Sequence, residues 1–433
     1  MEKSLVKVGL LGFGTVGTGV YRIIQAHQED LWKQTGLHIE IHRIFVKDIH
    51  KTRDISTPTN MLTTNIDDIL HSDEIDVIVE VMGGIEPTKS YILTALEQKK
   101  HVITANKDLM ALHGAEILST ARANNCDVFY EASVAGGIPI LRALVEGLSS
   151  DRINKMMGIV NGTTNYMLSK MSKEGMDYQE VLAEAQALGY AESDPTADVE
   201  GFDAARKMAI LSTLGFRVAL NLDEVDVKGI SSVTKEDIAY GKSLGYELKL
   251  LGIAERSDSK IEVSVQPTMI HKSHPLASVH DVFNAVYIYG DAVGETMFYG
   301  PGAGELPTAT SVVSDLVTVV KNMKLGTNGL GVVAPYVEKQ LKSDEEKYSK
   351  YFLRMIVADQ RGVLAKVTQL FADHNISFKQ IVQQPYNGGQ QAEIILVTHT
   401  SAKADMDQVI EEMESIDMIY QLKSCYRLEG EGR

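Results

Sequence analysis

Residues 7–17, KVGLLGFGTVG, are an apolar run that breaks into glycines and then opens a helical pattern. The pattern extends over Val16–Gln34, with Val16, Val20, Ile23, Ile24 and Leu31 at helical spacing. In a strand, glycine loop and helix of this kind each glycine has its own task. Gly12 permits the tight turn, Gly14 lets backbone approach a pyrophosphate, and Gly17 allows close packing of helix on sheet. The start of the helix then offers N–H groups and the positive end of its dipole to the phosphates. Short glycine patterns occur by chance, so the flanking strand and helix carry the weight here. The expected cofactor loop is Gly12, Phe13, Gly14, Thr15, Val16 and Gly17. The bland alternative is a glycine-rich turn that binds nothing.

Outward from this loop, strand-like runs alternate with helical ones. Ile39–Val46, Val77–Val81, Val102–Thr104 and Val128–Glu131 read as strands, with helices near Pro87–Lys99 and Gly114–Asn124. Such alternation predicts an α/β fold, a Rossmann-type parallel sheet covered by helices, over residues 1–137. From 138 to 336 the pattern changes to α+β. Helices are expected at Pro139–Glu146, Asn165–Glu174, Asp177–Gln186, Glu200–Leu214 and Thr308–Lys324, with strands such as Lys155–Val160 and Lys260–Pro267. The segment near 305–325 is expected to pack back on the nucleotide domain. Residues 337–350 are charged and poor in apolar side chains, which suits a linker. Over 351–433 the order β-α-β-β-α-β predicts a ferredoxin-like domain.

Composition narrows the function classes. The formal charge of −16 and the absence of any Lys/Arg-rich block argue against nucleic acid or an anionic membrane as partner. Two cysteines, Cys126 and Cys425, cannot form a disulfide framework or a cysteine-rich zinc site, and fit a reducing cytosol. The N-terminal apolar run is cut by glycines at once, so it reads as a strand rather than a signal peptide. A soluble, cytoplasmic protein is expected.

The end of the second strand, Phe45-Val46-Lys47-Asp48 with Lys51 and Arg53 close behind, bears on NAD against NADP. An acid there would grip a ribose hydroxyl, and a cation would accommodate a 2′-phosphate. Both types are present; Lys47 and its basic neighbours tilt the reading to NADP. Further polar clusters stand at Thr104-Ala105-Asn106-Lys107, Glu131–Pro139, Asn161-Gly162-Thr163-Thr164-Asn165 and Glu192–Asp198. Asp203 and Lys207, four apart, share one helix face. Taken alone they could be a surface ion pair, Lys107 a turn cap and Glu131 a solvated strand end.

Together, and in this order, these clusters resemble homoserine dehydrogenase. The matching segments are GLLGFGTVG at 9–17, VITANKDL at 102–109, EASVAGGIPI at 131–140, GIVNGTTNYML at 158–168, LGYAESDPTADVEGFDAARK at 188–207 and YGPGAGELPTATSVVSDL at 299–316. The resemblance implies reversible reduction of L-aspartate 4-semialdehyde to L-homoserine by NAD(P)H. It implies Lys207 as acid/base, Lys107 at the nicotinamide and substrate, and Glu192 and Asp203 on the substrate's amino and hydroxyl ends. Asp198 would orient its neighbours, and Gly189 and Gly304 would lie near the cofactor. Glu131, with the carbonyls of Val134, Gly136 and Ile138, matches a monovalent cation site, usually sodium. Reduction of an aldehyde puts negative charge on its oxygen, so a cation and a proton donor are needed there.

Aspartate-semialdehyde and glyceraldehyde-phosphate dehydrogenases combine similar domains but need an activated thiol. Cys126 stands at the strand end away from the expected site and Cys425 in the last strand, so neither suits. A non-catalytic amino-acid sensor on the same fold is the other alternative; it predicts losses at Lys107, Glu192, Asp203 or Lys207, and none is lost. Residues 351–428 resemble an ACT domain, with Asp359–Leu364 and Asp373–Ser377 at its turns. That implies an amino-acid effector, threonine by the logic of threonine and methionine biosynthesis, and a homodimer or homotetramer.

Overall fold

The protein is described here from a computed structural model covering residues 4–53, 59–331 and 335–430. It divides into two compact units. The first holds Met1–Val160, Ala204–Val225 and Phe283–Glu338; the second holds Asn161–Asp203, Asp226–Val282 and Lys339–Arg433. The segment expected as a second domain therefore contributes to both.

The first unit is built on six strands: β1 (Leu5–Leu11), β2 (His38–Phe45), β3 (Leu62–Thr63), β4 (Val77–Glu80), β5 (His101–Thr104) and β6 (Val128–Phe129). All pair in parallel, in the order β3-β2-β1-β4-β5-β6. Its central strands are apolar on both faces towards their carboxyl ends: Leu10, Leu11, Val77, Ile78 and Val79 are all fully buried. Continuous burial explains why these segments read as unbroken apolar runs. The sequence order reverses between β1 and β4, and the crevice at the carboxyl end of such a reversal is where open sheets bind ligands. The helix after β1 ends sooner than its apolar spacing suggests. Thr15–Ala26 stops at His27, and a second helix, Gln28–Thr35, begins there with Glu29 and Asp30 in its first turn, where the dipole favours acids.

The long helix Glu305–Leu325 packs on Thr15–Ala26, and the two share one buried core of Val20, Ile24, Val312, Leu316 and Val320 with the sheet. Glycine makes this crossing close. A Cβ on Gly19 would lie 2.6 Å from the Glu305 carbonyl oxygen and 2.9 Å from the Ala309 Cβ. An antiparallel trio, Ile153–Ile159, Phe283–Gly290 and Gly294–Pro301, completes the unit.

In the second unit Tyr246–Ser257 and Lys260–His271 form a long antiparallel hairpin. The first of these strands escapes a sequence reading because Leu250–Ala254 is apolar without alternation, a pattern that does not separate strand from helix. The C-terminal module has strands Tyr348–Ala358, Phe378–Tyr386, Gln391–Thr398 and Ile419–Glu429, with helices Val363–Asp373 and Lys403–Met413. Its antiparallel sheet places the last strand beside the first, then the third, then the second, as the split-βαβ plan requires. That last strand also pairs with the hairpin: Thr268, Met269 and Ile270 lie opposite Arg427, Leu428 and Glu429. One sheet thus runs from the hairpin into the module. The expected linker is held as well. Gln340–Leu341 pairs with Lys260–Ile261, and Lys342 is buried with its ammonium 2.8 Å from Glu262.

Candidate active site

At the mouth of the sheet reversal Gly12 has φ +103°, and a Cβ there would come within 3.0 Å of the Met82 backbone. Only glycine accepts both conditions. A Cβ on Gly17 would strike the Gly12 carbonyl oxygen at 2.2 Å, while one on Gly14 would meet nothing within 4 Å. The loop is therefore tight where it packs and open where a phosphate must come close, which fits a dinucleotide. Beneath it, fully buried Glu80 closes β4. Its carboxylate accepts the N–H groups of Met82 at 2.8 Å and Gly83 at 3.0 Å, and the Thr104 hydroxyl at 2.5 Å. Burial raises its pKa, against the pull of those donors. Thr104 Oγ1 in turn accepts from Asn106 N, and the Asn106 amide donates to the Gly84 carbonyl at 2.6 Å. One carboxylate thus fixes both loops at the crevice.

Beside the glycine loop, Arg53 lies over the Phe13 ring, 5.7 Å from its centroid, and donates to the carbonyls of Asp48 and Lys51. The Asp48 carboxylate is spent on the backbone N–H of His50. Lys47 is exposed. The end of β2 therefore presents cations, its acid being engaged in a turn.

Lys107 is the first residue of the helix Lys107–Ala123, which Asn106 caps by accepting from Leu109 N. The helix begins about two turns before the sequence reading placed it, because the cap, not the first apolar residue, sets its start. Lys207 lies on Phe202–Phe216 and donates to the Val160 carbonyl at 2.7 Å. The next residues over, Asp108 and Arg206, form an ion pair at 2.8 Å. That pair ties together the two helices that carry the lysines.

Asp203 precedes Lys207 by one helical turn and is 5% exposed. Asn161 holds it: the Asn161 amide nitrogen donates to Asp203 at 2.8 Å and to Asp198 at 2.7 Å. The Asn161 amide oxygen caps the next helix, Gly162–Glu174, by accepting from Thr164 N. A single carboxamide thus sets both aspartates against the polar turn. Glu192 is exposed, and Gly189 has φ +76° with open space where a side chain would stand.

The bend after Glu131 turns through two left-handed residues, Ala135 at φ +55° and Gly136 at φ +47°. It lies against the 301–307 segment: a Cβ on Gly136 would come within 2.3 Å of the Gly302 carbonyl oxygen, and Gly137 N donates to the Pro301 carbonyl. Gly304, at φ +120°, starts the helix that packs on Thr15–Ala26. The Glu131 carboxylate accepts the N–H groups of Leu141 and Arg142 at 2.7 and 2.8 Å, so it caps a helix. A cation at this bend would accordingly take backbone carbonyls, Glu131's among them, rather than that carboxylate. Gly136's carbonyl already accepts from Ser311 Oγ at 2.7 Å. Among the described residues no three His, Cys, Asp or Glu side chains could hold a metal together. Behind the bend Asp315 accepts from Glu131 N and pairs with Arg142 at 2.8 Å.

Neither cysteine is poised as a nucleophile. Burial pushes the Cys126 thiol up to about 11 and the Cys425 thiol up to about 12. Glu80 and Arg206 were not singled out by the sequence reading, since their partners Thr104 and Asp108 lie far away in the chain. Asn161 gave a signal as an Asn at a helix start, and Arg53 as a cation after the second strand.

Comparison with known proteins agrees with this arrangement. Residues 12–131 match the family model of the homoserine dehydrogenase NAD-binding domain, 139–317 that of homoserine dehydrogenase, and 351–417 that of the ACT domain. The homoserine dehydrogenase of Bacillus subtilis is 56% identical over 99% of both chains, and that of Lactococcus lactis 40% identical over 98% of this chain and 100% of its own. Among solved structures, a homoserine dehydrogenase from Thiobacillus denitrificans superposes with a TM-score of 0.92 at 39% identity, covering 98% of each chain. A hyperthermophilic archaeal homoserine dehydrogenase in complex with NADPH gives 0.62 at 25% identity, covering 73% of this chain and 97% of its own. No helix among the described residues is long and apolar enough to cross a membrane. The chain belongs to the homoserine dehydrogenase family of oxidoreductases, joining an NAD(P)-binding domain and a catalytic domain to a C-terminal ACT domain.

Proposed function

We propose that the chain interconverts L-homoserine and L-aspartate 4-semialdehyde, with Lys207 as acid/base and Lys107 beside the reacting centre. The observation that carries this reading is the Asp108–Arg206 ion pair, which joins the two lysine-bearing helices at the residues next to the lysines. The nicotinamide cofactor supplies or accepts the hydride. Lys207 gives a proton to the aldehyde oxygen as charge develops there, and takes it back in the reverse direction. Lys107 stabilises the same oxygen as a fixed cation. Asp203 and Glu192 hold the hydroxyl and ammonium ends of the substrate, and Asp198 shares with Asp203 the Asn161 amide that orients both. Glu131, Val134, Gly136 and Ile138 would hold a sodium ion by their carbonyls, and it would fix the bend without reacting.

NADP is the preferred cofactor on this reading, because Arg53 and Lys47 face the end of β2 while Asp48 is engaged in its own turn. Arg53→Gln should raise KM for NADP⁺ about tenfold, the worth of one charge-assisted hydrogen bond, and leave that for NAD⁺ unchanged. Initial rates with both cofactors test it; an equal rise for both would refute the assignment. The protein acts in the cytoplasm, in threonine and methionine biosynthesis, as a homodimer or homotetramer. Its ACT domain binds an amino-acid effector, threonine in the simplest scheme.

A further inference from the structure

The three carboxylates assigned to the substrate all hang from the start of the helix Gly162–Glu174. Asn161, its cap, gives one amide nitrogen to Asp198 and Asp203. The Thr163 hydroxyl donates to the Tyr190 carbonyl at 2.6 Å, two residues before Glu192. Another face of the helix is fastened to residues 279–281. Asn165, Ser169 and Lys173 recur every four residues and share that face. Asn165 Nδ2 donates to the Asp281 carbonyl at 2.9 Å, Ser169 Oγ accepts from Asp281 N at 3.1 Å, and Lys173 pairs with the Asp281 carboxylate at 3.1 Å.

Against the first turn of this helix lies a lysine that the hydride chemistry leaves unused. Lys249, on the strand Tyr246–Ser257, is 1% exposed. Its ammonium donates to the Val279 carbonyl and stands 3.2 Å from Asn165 Oδ1 and 3.5 Å from His280 Nδ1. With the His280 proton on Nε2, three N–H groups meet three acceptors. No carboxylate among the described residues pairs with this ammonium. Glu247 accepts from Ser172 Oγ at 2.9 Å, and Asp281 is engaged by Lys173. Burial lowers the Lys249 pKa to about 8, with Glu247 and Asp281 raising it and Lys173 lowering it further. Burial and the Lys249 charge lower His280 as well, so the ring beside the ammonium is neutral. A buried charge without a counter-charge is expensive, and a methionine would fill the same space at less cost. What the ammonium supplies and a methionine cannot is a set of three directed donors.

We infer that Lys249 is a positioning residue for the amino-acid substrate: it pins Asn165 and the Val279 carbonyl to one point, and so fixes the first turn from which Glu192, Asp198 and Asp203 are held. It acts through Asn165 and touches neither substrate nor cofactor. The inference rests on the proposed function, in which those carboxylates bind and orient homoserine.

Steady-state kinetics of the full chain with L-homoserine and NADP⁺ test it. Lys249→Met should raise KM for homoserine about tenfold, as loss of a charge-assisted hydrogen bond in the supporting turn requires. KM for NADP⁺ should stay within about twofold and kcat within about threefold, a split that general loosening of the fold would not give. Asn165→Ala should show the same split. The double change should be no worse than the worse single one, because both remove the same contact. A KM for homoserine that stays at the parent's value, equal rises in both KM values, or fully additive effects in the double change would overturn the inference. If Lys249→Met does not fold, Asn165→Ala decides alone, since it leaves the ammonium its contacts with Val279 and His280. No turnover of homoserine by the unaltered chain would overturn the proposed function itself.

Discussion

At the scale of single residues, the buried pair Glu131 and Asp315 makes the sharpest prediction. Asp315 is 1% exposed, and burial together with the charge of Glu131 raises its carboxyl from 3.8 to about 7 despite Arg142. Glu131 is raised by burial too. Between about pH 4 and about pH 7 the unfolded chain has released a proton that the folded chain still holds. Stability therefore falls as pH rises through that window and levels above it. Asp315→Asn removes the Asp315 share of this slope, so urea unfolding at about pH 5 and about pH 8 should differ less in the variant than in the parent. An unchanged difference would contradict the burial argument. The sequence showed Glu131 beside a glycine bend and the resemblance supplied a cation role. It did not show that the carboxylate caps Leu141 and Arg142, because that depends on how the chain turns through Ala135 and Gly136. Glu80 was equally silent: a Glu at the end of an apolar strand looks solvated until the loops it fastens are seen folded over it.

Elements were most legible where a local rule decides them. The first strand, loop and helix follow from one glycine pattern in its required setting, and the alternation in the last eighty residues outlines its four strands and two helices. Contacts between elements were not legible. Arg354, on the module's first strand, donates to Asp237 at 2.7 Å, to Glu393 at 2.8 Å and to Thr234 at 3.0 Å. Asp237 also closes the capping box of the helix Lys235–Ser243 and accepts from Ser424 at 2.6 Å and Tyr426 at 3.0 Å. Every charge in this cluster is buried and hydrogen-bonded. Removing the cation alone leaves two carboxylates stranded in a medium that cannot solvate them, at a cost of about 3–5 kcal/mol. Arg354→Met should lower the unfolding free energy by that amount in a denaturant titration. A loss below about 1 kcal/mol, the value of a surface pair, would show that water reaches the cluster.

For the whole molecule, composition and the two cysteines pointed away from thiol chemistry, and the order of motifs pointed to the family, which the comparisons show. What they could not show is that the C-terminal module is joined to the hairpin by a continuous sheet. Thr268–Ile270 pairs with Arg427–Glu429, and Asp237 relies on Arg354 from across the join. Cutting the chain after Lys350 would bare that strand edge and leave Asp237 unpaired. The truncated protein should melt well below the full chain and associate through the open edge, as scanning fluorimetry and light scattering would show. An equal melting point with no association would mean that the module is merely tethered. The central claim is hydride transfer on homoserine with Lys207 as the acid/base, and it meets its most direct test in one assay. L-homoserine and NADP⁺ are added to the parent and to Lys207→Met, and the near-ultraviolet absorbance of reduced nicotinamide is followed. The account predicts steady formation by the parent and a kcat lower by about 10²–10⁴ in the variant, with its circular dichroism unchanged. No formation by the parent, or a variant rate within a few-fold of it, would contradict the claim.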